Sequence, residues 1–416
     1  MKKLTCILLT AVIALSAAVI SSCNSNNDKN EEKEFDPKAA VLSTTAPAAT
    51  SADSSKKVEK KTTETEPEVK VSKSTELSSS QYKSFVSSCD SLVYNYGFEG
   101  EVYITEHGKP IYKNSVNYAD KKKKTKINEY TLFRVASITK QFTAAAIMIL
   151  NERKKLSLKD KLGKYFPEYK NGKDVTIDQV LRMRGGIPDY MNFYSNVAMI
   201  FPNKKEAFKN SSEKNRAYIK KAFMEDPLLF TPGATFKYSN SGYLLLGEIV
   251  EKVSGTSYEN FVQTEIFDKL GMKYSGFNEN LDDSNPNIAK PYNYRKGQLD
   301  VFSIDGAAFA CGNIYSNAVD LNKWAYGLRH NKIMSAKSFK KMVSDPNKVG
   351  YAYGLFTMES GNLVHHTGNL APYNSIILMS LGSSDYTCIV LSNYNYYASE
   401  TLGKNLRSVY SGYFSS

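Results

Sequence analysis

Cysteine is scarce in this 416-residue chain: there are five, and none has a metal-type spacing. Cys6 and Cys23 fall in a leader segment. That leaves Cys89, Cys311 and Cys388, which allow one disulfide at most and build no disulfide framework; buried free thiols are the simpler reading. Apolar residues make up 42% of the chain, low for a soluble protein, so part of it is not expected to fold. Aromatics are almost missing from Asn24 to about Ser80, which is rich in Ser, Thr, Lys, Glu, Ala and Pro. Such a segment cannot bury enough apolar surface to offset its ordering entropy, and residues 23–80 read as a disordered tether. No internal repeat occurs, which excludes solenoids.

What precedes the tether is an export signal. Lys2 and Lys3 form a basic start, Leu4 to Ile20 is an apolar run, and Ile20-Ser21-Ser22-Cys23 resembles a bacterial lipobox. This predicts a signal peptide over residues 1–22 and a lipid on Cys23, with the protein outside the cytoplasm and anchored to the bacterial membrane. An uncleaved membrane anchor is the alternative, because the run is near the lower limit for a spanning helix. The net charge is +12. The leader adds +2 and residues 23–80 subtract 2, so residues 81–416 carry the whole +12. A basic domain can meet nucleic acid, anionic lipid or an anionic cell-wall polymer. Export excludes the first, and a spread of solvated lysines without a partner weighs as much as the other two.

From Gln81 the composition changes. Tyr82, Phe85, Val86, Leu92 and Val93 follow helical spacing. Val102 and Ile104 alternate with polar residues, His107-Gly108-Lys109-Pro110 supplies a turn, and Ile111 and Tyr112 resume the strand. A helix is expected from Ser137 through Leu150. Strands are expected at Tyr351–Met358, Asn374–Leu381 and Thr387–Ser392, with a last helix from Ala398. Strands at both ends with helices between them predict an α+β domain over residues 81–416. Its antiparallel sheet is flanked by helices and carries an all-helical insertion over about residues 151–300.

Three short motifs carry chemistry. Ser137-Ile138-Thr139-Lys140 opens a helix, and i, i+3 spacing puts an amine one hydrogen bond from a hydroxyl. The same spacing recurs at Ser54, Ser80, Ser211 and Ser338, so the pattern alone means little; only Ser137 stands between Phe133-Arg134-Val135-Ala136 and Gln141-Phe142-Thr143-Ala144. Tyr238-Ser239-Asn240 lies between a Pro232-Gly233 turn and an apolar helix. Its type recurs at Tyr190, Tyr194 and Tyr315. His366-Thr367-Gly368 reads as an exposed strand edge, where glycine admits a substrate backbone. The plain structural readings are a helix N-cap, a packed tyrosine and a satisfied histidine.

Together, in this order, the motifs resemble the serine β-lactamase and penicillin-binding superfamily, in particular its class C and D-alanyl-D-alanine peptidase branch with its esterase-like members. The resemblance spans about Phe98 to Ser392 and implies a β-lactamase/transpeptidase-like fold. It implies that Ser137 forms an acyl-enzyme while Lys140 and Tyr238 share proton transfer, either being the base. Asn240, His366, Thr367, Gly368 and Asn369 would bind substrate, with backbone N–H groups of Ser137 and Asn369 as the oxyanion hole. Neither metal nor organic cofactor is implied. Three departures stand out. Asn369 replaces a small residue and crowds the strand, and Met183-Arg184-Gly185 replaces a His-Thr-Ser stretch. His366 replaces a lysine, which is expected to disfavour β-lactams and make carboxylate recognition pH-sensitive, with Arg184 near the cleft as compensation. The expected function is a serine hydrolase acting on a cell-wall peptide, D-amino-acid peptide or ester. A β-lactamase and a non-catalytic cell-wall peptide-binding lipoprotein are the alternatives.

Overall fold

A computed structural model describes residues 68–74, 76–193, 213–281, 284–293, 297–298, 307–394 and 398–414. The signal peptide, Cys23 and the tether up to residue 67 lie outside the described residues. The described remainder of the expected tether is docked. The Ser72 amide donates to Pro110 O at 2.9 Å, Ser74 Oγ to Glu106 at 2.7 Å, and the Val69 amide to Glu129 at 2.8 Å. Leu77 is buried. The fold therefore starts before Gln81, with residues 68–74 as a strap.

Helix α1 (Ser79–Asn95) opens with a capping box between Ser78 and Gln81, which satisfies two orphan donors reciprocally. Strands β1 (Gly100–Glu106) and β2 (Lys109–Val116) follow. The two turn residues between them, His107 and Gly108, have φ of 49° and 73°, the left-handed pair that fits the twist of a tight hairpin. The rest of the sheet comes from the far end of the chain: β3 (Phe356–Met358), β4 (Leu363–Leu370), β5 (Tyr373–Ser380) and β6 (Thr387–Ser392). The order is β3-β4-β5-β6-β1-β2, antiparallel throughout. The expected strand from Tyr351 shrinks to Phe356–Met358, with Tyr351 making only an isolated bridge to Phe356.

β5 and β6 are buried on both faces, which explains their unbroken apolar runs. Val102, Ile104, Ile376, Leu378, Cys388 and Val390 face a core shared with α1 and α5 (Ala398–Tyr413). Tyr103, Ile377, Met379, Ile389 and Leu391, one residue out of phase, face the larger core. There lies α2 (Thr139–Glu152), buried continuously from Thr139 to Leu150, as its all-round apolar sequence requires. Against it pack α3 (Asn240–Ser254), stopped by a left-handed Gly255, and α4 (Ala318–Arg329), whose Trp324 stacks on Phe142 at 4.1 Å. Cys89, Cys311 and Cys388 are free and buried.

The insertion is not all-helical. Gly276–Phe277 joins Phe133–Arg134 across Ile314–Ser316 in a second small sheet, and Tyr292–Asn293 pairs with Gly297–Gln298. Two-residue strands are too short to show periodicity, so sequence pattern does not reveal them. The small sheet matters because Phe133–Arg134 leads straight into Ser137.

Candidate active site

Ser137 does not sit in α2. It lies in a single 3-10 turn, Ala136–Ile138, just before it. Ala136 has φ of 47°, a left-handed conformation that costs a residue with a Cβ about 1 kcal/mol or more. The surroundings impose it. The Val135 amide donates to Ile314 O at 3.0 Å, and Val135 O accepts from Ser375 Oγ at 3.2 Å. The bend leaves Ser137 half-buried.

Lys140, fully buried one turn later, places Nζ 3.1 Å from Ser137 Oγ, 2.8 Å from Asn240 Oδ1 and 2.7 Å from Cys311 O. Two of these partners are carbonyl oxygens, which only accept. A neutral amine donates its two N–H groups to them and turns its lone pair to the Ser137 hydroxyl. Burial pulls Lys140 down to about 8, partly opposed by Cys311 and, less, by Asp189.

Tyr238 is half-buried, its ring centroid 4.8 Å from Lys140 Nζ. Desolvation raises its phenol well above the ordinary value, and the smaller effect of a hydrogen bond with Ser137 lowers it. The hydroxyl is thus a proton donor at neutral pH. The Met183-Arg184-Gly185 stretch holds the Tyr238 loop. The Lys237 amide donates to Met183 O at 2.9 Å, the Gly233 amide to Arg184 O at 2.8 Å, and the Ser239 amide to Met183 Sδ at 3.3 Å. The Arg184 guanidinium donates to Gly233 O. Arg184 thus braces the turn before Tyr238 rather than standing free as compensation for a missing lysine.

β3 pairs with β4 only as far as His365, so His366–Leu370 run past the nucleophile turn without a strand partner on that edge. Gly368 is needed there for a reason other than the expected one. A Cβ on it would meet Val135 O at 2.1 Å and Ser375 Oγ at 2.4 Å, so the close approach is to the protein's own backbone. Asn369 does not crowd this contact. It is exposed, and its side chain accepts from Asn374 across the strand pair, on the face toward Ser399 of α5. Thr367 is half-buried, and its carbonyl accepts from His366 Nδ1 at 2.7 Å.

His366 is buried, and both its ring nitrogens are engaged. Thr367 O can only accept, so Nδ1 carries the proton. Nε2 then accepts from the Tyr351 hydroxyl at 3.2 Å. Burial, helped by Lys140, lowers His366 to about 3. The ordinary imidazole value behind the expected pH-sensitive recognition does not hold at this site.

Sequence reasoning missed Asp189 and Tyr351. Asp189 is buried and accepts from Asn240 Nδ2 at 2.9 Å and from the Met191 amide at 3.0 Å. Its signal was the acid in Gly186-Ile187-Pro188-Asp189-Tyr190, a turn sequence beside no obvious partner. Among the described residues no cluster of three or more His, Cys, Asp or Glu side chains suits a metal ion.

Comparison with known proteins agrees with this fold. Protein flp of Staphylococcus aureus (strain MRSA252) is 28% identical over 318 residues, which are 71% of this chain and 59% of flp. The chain thus spans less than two thirds of that relative. FmtA from Staphylococcus aureus has a similar structure, with a TM-score of 0.66 and 21% identity over 84% of this chain and 91% of that one. D-amino acid amidase from Ochrobactrum anthropi SV3 also has a TM-score of 0.66, with 20% identity over 81% of this chain and 100% of that one. At such identities the likeness carries the fold alone. A family profile described as Beta-lactamase matches residues 93–409, from within α1 to near the end of α5. Nearly the whole described domain lies inside that match, and the chain belongs to the Beta-lactamase family.

Proposed function

We propose that this chain is a serine acyl hydrolase of the bacterial cell envelope, acting on a D-amino-acid peptide, amide or ester. The observation that carries the reading is the buried Lys140 amine, 3.1 Å from Ser137 Oγ and pulled down to about 8. Ser137 Oγ attacks the carbonyl carbon while its proton passes to Lys140 Nζ, and the carbonyl π pair moves onto oxygen. Backbone N–H groups of Ser137 and Asn369 receive that oxyanion, each worth about 3–4 kcal/mol. When the carbon–nitrogen or carbon–oxygen bond breaks, the Tyr238 hydroxyl protonates the leaving group and regains a proton from the Lys140 ammonium. Water then attacks the acyl-enzyme, giving its proton back through the same pair, and Ser137 is restored. The geometry favours Lys140 over Tyr238 as base, because a buried amine near 8 accepts a proton far more readily than a phenol held neutral.

The substrate class is supported by the D-amino acid amidase among the similar structures. The leader supports the location: a lipid on Cys23 would hold the domain at the membrane. An anionic cell-wall polymer as partner is supported by Lys121-Lys122-Lys123-Lys124, the turn between the paired short strands Tyr118–Asp120 and Thr125–Lys126, where three of the four lysines are exposed. A fluorophosphonate should label the parent once, and Ser137→Ala should remove the label. A panel of D-amino-acid esters, amides, D-peptides and a chromogenic cephalosporin then ranks substrates. Turnover of the cephalosporin alone favours a β-lactamase; binding without any turnover refutes the enzyme reading.

A further inference from the structure

Asn240 is held by two groups of opposite demand. Its Oδ1 accepts from Lys140 Nζ at 2.8 Å, and its Nδ2 donates to Asp189 Oδ2 at 2.9 Å. An amide can be flipped by half a turn, which would point N–H groups at the amine and oxygen at the carboxylate. Both contacts would then be repulsive. Only a group that cannot donate, set beyond Asn240, fixes the orientation in which the amide oxygen faces Lys140. Asp189 is that group. It is itself tied down by the Met191 amide at 3.0 Å and is buried, so it does not turn away.

We propose that Asp189 is a positioning residue for the acyl-transfer reaction, fixing the Asn240 amide and supplying the counter-charge for the proton that Lys140 takes from Ser137. The inference rests on the acyl-hydrolase reading above. It gives Asn240 a role other than holding substrate: its oxygen aims the Lys140 lone pair at Ser137. The chain Ser137–Lys140–Asn240–Asp189 assembles residues far apart in sequence. Its logic is that of any base oriented from behind by an acid, except that here an amide stands between the two. Before transfer the site holds a neutral amine and a carboxylate. After transfer it holds an ammonium facing a carboxylate through a polarised amide, so Asp189 stabilises the state that the transition state approaches.

Other groups face Lys140 as well. The rings of Tyr238 and Tyr243 lie 4.8 and 5.7 Å from Nζ, and Cys311 and His366 interact with it electrostatically. Burial raises the Cys311 thiol and lowers His366, so neither is charged at neutral pH. Tyr190, against Cys311, is held neutral in the same way. Among the described residues Asp189 is therefore the carboxylate this pocket presents to the base, even though burial raises its own value.

The test compares Asp189→Asn with the parent. Asparagine removes the charge and keeps one acceptor oxygen for the two donors, Asn240 Nδ2 and the Met191 amide. Second-order labelling of Ser137 by an uncharged fluorophosphonate is followed from pH 5.5 to pH 10, and the pKa of Lys140 is read separately from the side-chain NMR shifts of lysine-labelled protein. Loss of a nearby negative charge lowers an amine, so the rising limb should move down by about one pH unit. The plateau should fall about tenfold or more, which a packing defect alone would not couple to a shifted limb. Asp189→Ala should lower the plateau further by freeing the amide, and combining either variant with Asn240→Ala should add little. An unshifted limb and an unshifted Lys140 in Asp189→Asn would overturn the proposal. Full additivity with Asn240→Ala would do the same. Failure of the parent to label at Ser137 would instead refute the acyl-hydrolase reading, and the NMR titration of Lys140 still decides whether Asp189 charges the base. Should Asp189→Ala not fold, Asp189→Asn and Asp189→Glu carry the same comparison.

Discussion

If Lys140 is the base, the pH profile of acylation follows the fraction of its amine that is neutral. With Lys140 at about 8, that fraction is roughly one hundredth at pH 6, one tenth at pH 7 and nine tenths at pH 9. The second-order rate of labelling by an uncharged fluorophosphonate should therefore rise about tenfold from pH 6 to pH 7 and about fivefold from pH 7 to pH 8, and level off by pH 9. An uncharged probe keeps substrate ionisation out of the curve. His366, held near 3 by burial, should add no limb in this window. Lys140→Met should remove the limb together with most of the rate. Three results would refute the reasoning. A limb near 6.5 that disappears in His366→Gln would make the histidine the titrating group. A rate still climbing above pH 10 would make the Tyr238 phenolate the base. A flat profile would mean that Lys140 is not neutralised before attack.

Three further outcomes follow from other parts of the structure. Gly368→Ala should cut Ser137 labelling by roughly a hundredfold or more, because a Cβ 2.1 Å from Val135 O must push the strand off the nucleophile turn; labelling equal to the parent would mean that the two can separate freely. Glu101 is buried in β1 and raised to about 8, chiefly by desolvation, so the folded state holds a proton there that the unfolded state releases above about 4.5. Stability from this group is present at acid pH and is lost as pH rises toward 8, at up to about 1.4 kcal/mol per unit; Glu101→Gln should flatten that slope in urea melts and raise stability most at pH 8. A chain beginning at Gln81 should be roughly 2–4 kcal/mol less stable than one beginning at Glu68, because it loses the buried Leu77 and the strap's hydrogen bonds; equal melting midpoints would show that the strap is idle.

The sheet was legible because its residues announce themselves. The hairpin at His107-Gly108, the two-sided apolar runs of β5 and β6, and the apolar stretch Ala144–Leu150 of α2 each follow from local pattern. Ser137 stands apart from its four decoys in the sequence because an apolar helix follows it and because Phe133-Arg134-Val135-Ala136 and Gln141-Phe142-Thr143-Ala144 flank it. What stayed hidden depends on contacts distant in sequence. Asp189 and Asn240 are bonded across 51 positions, and nothing near Asp189 names its partner. Tyr351 and His366 lie only 15 apart, yet it is the packing of Phe356 and Tyr238 around the imidazole that takes it out of water and changes its chemistry. The strap was read as tether because its composition is polar. Its attachment depends on backbone amides, which composition does not report. The left-handed Ala136 was also invisible, since an alanine carries no mark of the backbone it is forced into.

The strap also decides how the molecule would carry a load. Any tension drawn along the chain ahead of Glu68 enters the fold where Val69 meets Glu129 and Ser72 meets Pro110. These bonds are few and would be broken one after another, so the strap would peel like a zip rather than shear as a block. β2 lies at one margin of the sheet and β4 four places away, about 19 Å at ordinary strand spacing. Pro110 stands at that margin, with three strands between it and β4, whereas Glu129 stands four residues ahead of Phe133, in the segment that leads into Ser137. Of the strap's anchors, Glu129 is the one through which tension would reach the nucleophile turn.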